Sequence, residues 1–297
     1  MCINMLKGSY VALVTPFYED GSVNFKKLEE LIEYHIEHKT DGIVVLGTTG
    51  EASTLSFEEE EEIVRFSLKV VRKRVPVIVG AGSNETAKAV RQSKLYSELG
   101  ADYLLIITPY YNKTNEAGLI HHFEMIADSA SCPILLYNVP SRTGMSIPIS
   151  AIEVLSKHPN ICGIKEASGN ISYASMVASF LSEDFIMLSG NDDCIVPLMS
   201  IGAKGVISVL ANVCPIQTHT LCDDCLKEEF SKAWQIQKAL LPITQALFFE
   251  TNPIPVKALM NYMGFEVGGY RMPLYEMSDA LYQRMISIYE KDKELIF

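Results

Sequence analysis

Several things are scarce in this 297-residue sequence, and each scarcity excludes something. It has no long apolar run: the longest stretch without Asp, Glu, Lys or Arg, 205–222, is broken by Asn212, Pro215, Gln217, Thr218 and His219, so it does not read as a membrane span. It has no basic excess: 25 Lys and Arg against 36 Asp and Glu leave a formal charge of −11, which argues against a nucleic-acid partner. No basic segment followed by an apolar stretch stands at the amino terminus, so no export signal is visible. The seven cysteines are odd in number and scattered, which favours free thiols in a reducing cytoplasm over a disulfide framework. Cys222 and Cys225 form a lone CxxC with no second pair or nearby histidine, so no metal is assigned and the pair reads as helix-packing thiols. Gly80 and Gly82 lack the third glycine and the downstream acid of a dinucleotide fingerprint. With 48% hydrophobic and 21% charged residues, what remains is a globular composition with a sizeable core.

Short, nearly continuous apolar runs recur at 9–17, 42–46, 75–79, 103–108, 134–137, 162–165, 185–188 and 205–209. Runs of this kind suit parallel strands covered on both faces, and spacings of about 20 to 35 residues leave room for one helix and two loops between them. The segments between them are amphipathic. Positions 24–39 place Leu28, Leu31, Ile32 and Ile36 on one face, and Ser56 followed by Glu59 forms a capping box that opens a helix through Lys73. The acidic run 58–62 reads as a solvated helix start. Eight strand–helix alternations predict an α/β fold, a (β/α)8 TIM barrel over 1–223. From about position 224 the strand rhythm stops, and 224–297 reads as a carboxy-terminal helical extension interrupted at Pro242, Pro253, Pro255 and Pro273.

In such barrels the chemistry sits at the carboxyl ends of the strands. Those ends carry Gly47-Thr48-Thr49-Gly50-Glu51, Pro109-Tyr110-Tyr111-Asn112, Tyr137 through Arg142, Gly163-Ile164-Lys165-Glu166 and Ser189-Gly190-Asn191-Asp192. Lys165 is the informative member, because a charged residue ending an apolar strand is costly unless paired or neutral. It either snorkels to the rim, pairs with Glu166, or serves as a nucleophile. A free lysine has a pKa near ~10.4, and apolar walls or a cation such as Arg142 would expose its lone pair. A neutral amine attacks a ketone to give a carbinolamine and then an iminium; the adjacent carbon becomes acidic, and the resulting enamine attacks a second carbonyl. Those steps need a proton relay, for which Tyr137 is placed one strand away, with Thr48 and Tyr111 available to extend it. Tyr137 could equally be a core tyrosine. Adjacent Tyr110 and Tyr111 cannot both face inward. The glycine–threonine turn before a helix suits a carboxylate, although a plain tight loop would look the same.

Gly47-Thr48-Thr49-Gly50-Glu51, the segment Thr108 to Lys113, Tyr137 to Gly144, Gly163 to Gly169 and Asn252-Pro253-Ile254-Pro255-Val256-Lys257 together resemble the dihydrodipicolinate synthase family, within the N-acetylneuraminate lyase superfamily. The resemblance covers almost the whole chain, with the motifs in order. It implies an enzyme that condenses pyruvate with L-aspartate-4-semialdehyde to 4-hydroxy-tetrahydrodipicolinate on the route to diaminopimelate and lysine. It further implies Lys165 as the Schiff-base lysine with no separate cofactor, and Tyr137, Thr48 and Tyr111 as the relay, Tyr111 being borrowed across a tight dimer. Thr49 and the Thr48 backbone would hold the pyruvate carboxylate, Gly190 and Ile207 would line its pocket, and the assembly would be a homotetramer, a dimer of tight dimers. Arg142 would meet the carboxylate of the second substrate, because a planar guanidinium binds a carboxylate with two prongs. Its alternative role is that of a surface loop arginine. The rivals are a pyruvate aldolase acting on a sugar acid or sialic acid, whose relatives lack an arginine there, and a keto-acid sensor without turnover, which would have no use for a relay.

Asn84 and Tyr110 match positions of the family's lysine-binding allosteric pocket, but Phe57, Glu60 and Lys88 stand where lysine-inhibited members carry two histidines and a glutamate. Replacing the acid that would meet an α-amino group by a cation weakens binding. The expected result is weak or absent inhibition by L-lysine in a steady-state assay, and half-maximal inhibition at submillimolar L-lysine contradicts it.

Overall fold

The computed structural model describes residues 6–296, the side chains of the last two excepted; Cys2 lies outside the described residues. Eight parallel strands close into a barrel in sequence order: β1 (Gly8–Ala12), β2 (Gly42–Val45), β3 (Val77–Gly80), β4 (Tyr103–Ile107), β5 (Ile134–Asn138), β6 (Ile161–Glu166), β7 (Ile186–Ser189) and β8 (Gly205–Ser208). The runs are continuously apolar because both faces are covered. Tyr10, Val44, Ile78, Leu105, Leu135, Tyr137, Leu188 and Ile207 pack inside the ring, while neighbours such as Val11, Ile43, Leu104 and Leu136 join the larger core beneath the helices.

The first run is shorter as a strand than expected. β1 ends at Ala12, and Leu13, Val14 and Phe17 stay buried in the core outside the sheet, Phe17 making only an isolated bridge to Val23. Burial, not strand geometry, keeps those positions apolar. The helix Phe25–Glu37 is capped by Asn24, which accepts from the Lys27 N–H at 3.0 Å, and Phe57–Val71 opens with the reciprocal Ser56–Glu59 capping box. The helix that follows β8, Pro215–Leu226, runs through position 223 and carries the buried Cys222 and Cys225 on its packed side.

Three helices follow, Phe230–Ala246, Ile254–Tyr262 and Asp279–Ile296. Pro242 does not interrupt the first of them, contrary to expectation. It lies on an exposed face, and the Lys238 carbonyl that it leaves without a helical donor is on an exposed residue too, where water can satisfy it. Pro253 and Pro255 sit at the start of the second helix, where a missing N–H costs nothing. No helix among the described residues is long and apolar enough to cross a membrane.

His35 is fully buried on the first helix, its Nδ1 3.1 Å from the Thr40 hydroxyl. Burial pulls its imidazole down to about 3, so the fold keeps it neutral where the unfolded chain is already protonated. The unfolded state therefore binds the proton first, and stability falls as pH drops from about 6.5 towards 3. Denaturant titrations at pH 7 and 4.5 should show the His35→Gln variant losing about 2–3 kcal/mol less than the parent over that interval. Parallel losses in the two proteins contradict this assignment.

Candidate active site

The strand register sets the site. β5 pairs with β6 so that Tyr137 lies opposite Lys165 and Asn138 opposite Glu166; β6 pairs with β7 so that Lys165 lies opposite Leu188. Paired residues of a parallel sheet share a face, so Tyr137, Lys165 and Leu188 point into the barrel while Asn138 and Glu166 point out. Glu166 is occupied there, accepting from Asn138 Nδ2 and from the Ser168 N–H, both at 2.7 Å. It cannot neutralise Lys165 from the opposite face, which removes the ion-pair reading. Among the described residues Lys165 has no ion-pair partner. It is 7% exposed, and its Nζ sits 4.4 Å from the centre of the Tyr137 ring. Gly190, just beyond β7, leaves room for it: a Cβ there would lie 2.9 Å from Lys165 Cε and 2.5 Å from Ala167 Cβ.

A cavity of about 400 Å³ opens at this rim, with Thr48, Tyr110, Tyr137 and Arg142 in its wall. Lys165 is not part of that wall, but Tyr137 belongs to the cavity and to the lysine's surroundings alike. The Thr48–Thr49 turn is closed by the Gly50 N–H to Gly47 O and the Glu51 N–H to Thr48 O, both 3.1 Å, while the N–H groups of Thr48 and Thr49 have no backbone acceptor among the described residues. Thr49 is buried and accepts from Asn252 Nδ2 at 3.0 Å, which leaves its own hydroxyl proton for another acceptor. Arg142, exposed on the short turn Pro140–Thr143, donates to the Asn252 carbonyl at 3.1 Å. Ile207 is buried inside the ring beside Tyr10 and Leu188. Donors for anions, a phenol and an unpaired amine are thus gathered at one rim.

Tyr111 stands apart. It is 93% exposed with a left-handed backbone (φ 70°) and is absent from the cavity wall, whereas its neighbour Tyr110 lines it. The two phenols diverge, as expected for adjacent loop residues. Asn84 offers its carbonyl to Asn112 Nδ2 at 2.9 Å. Glu60 and Lys88 line the same cavity, and Glu60 is held by Gln92 Nε2 at 2.6 Å and the Tyr96 hydroxyl at 2.9 Å.

The sequence pattern of the Dihydrodipicolinate synthetase family matches residues 5–291. The chain belongs to this family. It is 54% identical over 275 residues to the 4-hydroxy-tetrahydrodipicolinate synthase of Caldicellulosiruptor saccharolyticus, covering 93% of each chain. It is 50% identical over 276 residues to the enzyme of the same name from Clostridium perfringens, covering 93% of this chain and 94% of that one. The crystal structure of dihydrodipicolinate synthase from Aquifex aeolicus superposes with a TM-score of 0.95 at 41% identity, over 98% of this chain and 99% of that one.

Three groups at this dihydrodipicolinate synthetase-type site escaped the reading of the residues one by one. Glu51 and Lys257 form an ion pair at 2.8 Å in which both side chains are wholly buried. Burial lowers the Lys257 ammonium's pKa and the adjacent carboxylate raises it. Removing one member of such a pair typically costs about 3–5 kcal/mol, because the other charge is left bare. The third is Asp192, fully buried, which accepts from Ser208 Oγ at 2.5 Å and from the Val209 and Leu210 N–H groups at 3.0 Å, joining β7 to β8. A lysine set among Ile254, Val256 and Leu259 was a visible signal for the ion pair; its partner, some two hundred positions earlier, was not. Gly190→Ala should lower turnover of the family's reaction, measured on the folded fraction, about 10²-fold by displacing Lys165 by an ångström or so, and should cost about 1–3 kcal/mol of stability because the new methyl also meets Ala167 Cβ. Unaltered turnover shows that the lysine does not need that space.

Proposed function

We propose that this protein condenses pyruvate with L-aspartate-4-semialdehyde to 4-hydroxy-tetrahydrodipicolinate, as an aldolase-type lyase of lysine and diaminopimelate biosynthesis working through a Schiff base on Lys165 and no other cofactor. The observation that carries the proposal is an interior lysine with no ion-pair partner, beside a phenol that faces a rim cavity furnished for anions.

The Lys165 amine attacks the keto carbon of pyruvate, and proton transfers through Tyr137 expel that oxygen as water, leaving an iminium. Loss of a methyl proton gives the enamine, whose carbon bonds to the aldehyde carbon of the second substrate, while the aldehyde oxygen takes a proton and becomes the 4-hydroxyl. The second substrate's own amine then bonds to the former keto carbon, closing the ring and releasing Lys165. A relay group of this sort is worth roughly 10²–10⁴ in rate. Thr48 belongs with Tyr137 in the relay, and Tyr111 joins it from a neighbouring subunit. That last role accords with a phenol 93% exposed in a single chain. Thr49 and the Thr48 N–H hold the pyruvate carboxylate, and Gly190 and Ile207 shape the space around its methyl and keto groups.

In this reading residues 1–223 carry the barrel and the chemistry, 224–297 form the extension, and the enzyme works in the cytoplasm as a homotetramer built from tight dimers. Exposed Met272 (73%) and Tyr275 (69%) are large apolar side chains of the kind that association covers. Asn84 and Tyr110 belong to a degenerate effector pocket, in which Glu60 is engaged by Gln92 and Tyr96 and a lysine, Lys88, stands in the wall.

Arg142 meets the carboxylate of the aldehyde substrate. In a steady-state assay with both substrates, Arg142→Ala should raise KM for L-aspartate-4-semialdehyde roughly 10-fold or more and KM for pyruvate little. Equal effects on the two constants remove Arg142 from this role, and preference for a sugar-acid aldehyde over the semialdehyde overturns the substrate assignment.

A further inference from the structure

The carboxy-terminal extension grips the pyruvate side of the rim at a few polar points. Glu51 ends the Thr48–Thr49 turn in a left-handed backbone conformation (φ 54°), which a non-glycine residue adopts only when its surroundings hold it there. Its carboxylate is held at both oxygens: Oε1 lies 2.8 Å from Lys257 Nζ, and Oε2 accepts from the Arg271 N–H at 3.0 Å. Lys257 in turn is saturated, its other two protons going to the carbonyls of Thr15 (3.1 Å) and Gly269. Thr15 returns to the turn, donating its hydroxyl to the Gly50 carbonyl at 2.6 Å. Five residues before Lys257, Asn252 donates to the Thr49 hydroxyl and accepts from Arg142, so one short segment touches the groups assigned to both substrate carboxylates.

An apolar contact could fasten the extension to the barrel equally well, and replacing buried ion pairs by apolar residues is often neutral for stability. What an apolar contact cannot do is fix the direction of a turn residue held at positive φ. We propose that Lys257, Glu51 and Asn252 are positioning residues: they lock the Thr48–Thr49 turn so that its free N–H groups and the Thr49 hydroxyl face the keto-acid carboxylate, and they thereby set the affinity for pyruvate. The proposal rests on the functional reading above. It makes the extension part of the pyruvate site although none of these three side chains touches the reacting atoms.

The test compares the parent with Lys257→Met/Glu51→Leu, which leaves no bare buried charge, and with Asn252→Ala, which keeps the ion pair and removes only the bond to Thr49. Melting temperature, kcat and both KM values are measured on each. KM for pyruvate should rise roughly tenfold or more in the double variant and several-fold in Asn252→Ala, with KM for the aldehyde within about twofold of the parent. A merely structural role lowers the melting temperature or the active fraction and leaves both KM values alone, and that result overturns the proposal. Should the double variant not fold, Asn252→Ala decides in the same way: an unchanged pyruvate KM overturns the proposal and a raised one upholds it. A parent protein that does not turn over pyruvate contradicts the functional reading instead, so the two failures are told apart by the control.

Discussion

Everything at this rim depends on a lysine that the fold places inside a ring of strands with no carboxylate in ion-pair contact among the described residues; buried Asp192 acts on it through its field alone, its oxygens being taken by Ser208, Val209 and Leu210. The contrast with the molecule's other buried lysine shows how specific that arrangement is. Lys257 has a carboxylate and two carbonyls, one acceptor for each proton of an ammonium, and it works as a fastening. Lys165 has an aromatic face at 4.4 Å and a glycine clearing the space beside its Cε. The first environment holds a cation in place; the second has no such set of acceptors, which is why Lys165 is the nucleophile in the proposed reaction. Register enforces the difference, because β6 turns Lys165 inward and the neighbouring Glu166 outward to Asn138.

The other groups follow from the same geometry. A closed parallel barrel brings the ends of all eight strands to one rim, so Thr48 after β2, Tyr137 on β5, Lys165 on β6 and Gly190 after β7 converge from residues far apart in the chain. Their precision needs support from behind. Asn138 and Glu166 brace the outer side of β5 and β6, Asp192 bridges to the start of the turn after β8, and the segment from Asn252 to Lys257 reaches back across the rim. Buried polar groups are costly unless satisfied, and here most are satisfied by bonds between elements distant in sequence.

Much of this was legible in the residues. The eight runs marked the eight strands because a strand covered on both faces must be apolar throughout, and Lys165 stood out because a charge at the end of such a run needs a reason. The excess length read at 9–17 came from the same signal, since Leu13, Val14 and Phe17 are apolar for burial outside the sheet. Pro242 reads as a break but lies inside a helix, because exposure decides whether a helix tolerates proline and one sequence does not show which face is wet. Glu51 and Lys257 both lay within recognised motifs, but only the fold brings position 257 beneath the turn at 51. Tyr111 remains the residue a single chain explains least, since its phenol points to solvent.

The most direct test is to treat the purified protein with borohydride in the presence and absence of pyruvate and to map the modified peptides by mass. A covalent pyruvate-derived increment on the peptide bearing Lys165, dependent on pyruvate and absent from the peptide bearing Lys257, is the predicted result. No adduct, or an adduct on a different lysine, contradicts the assignment of Lys165 as the nucleophile.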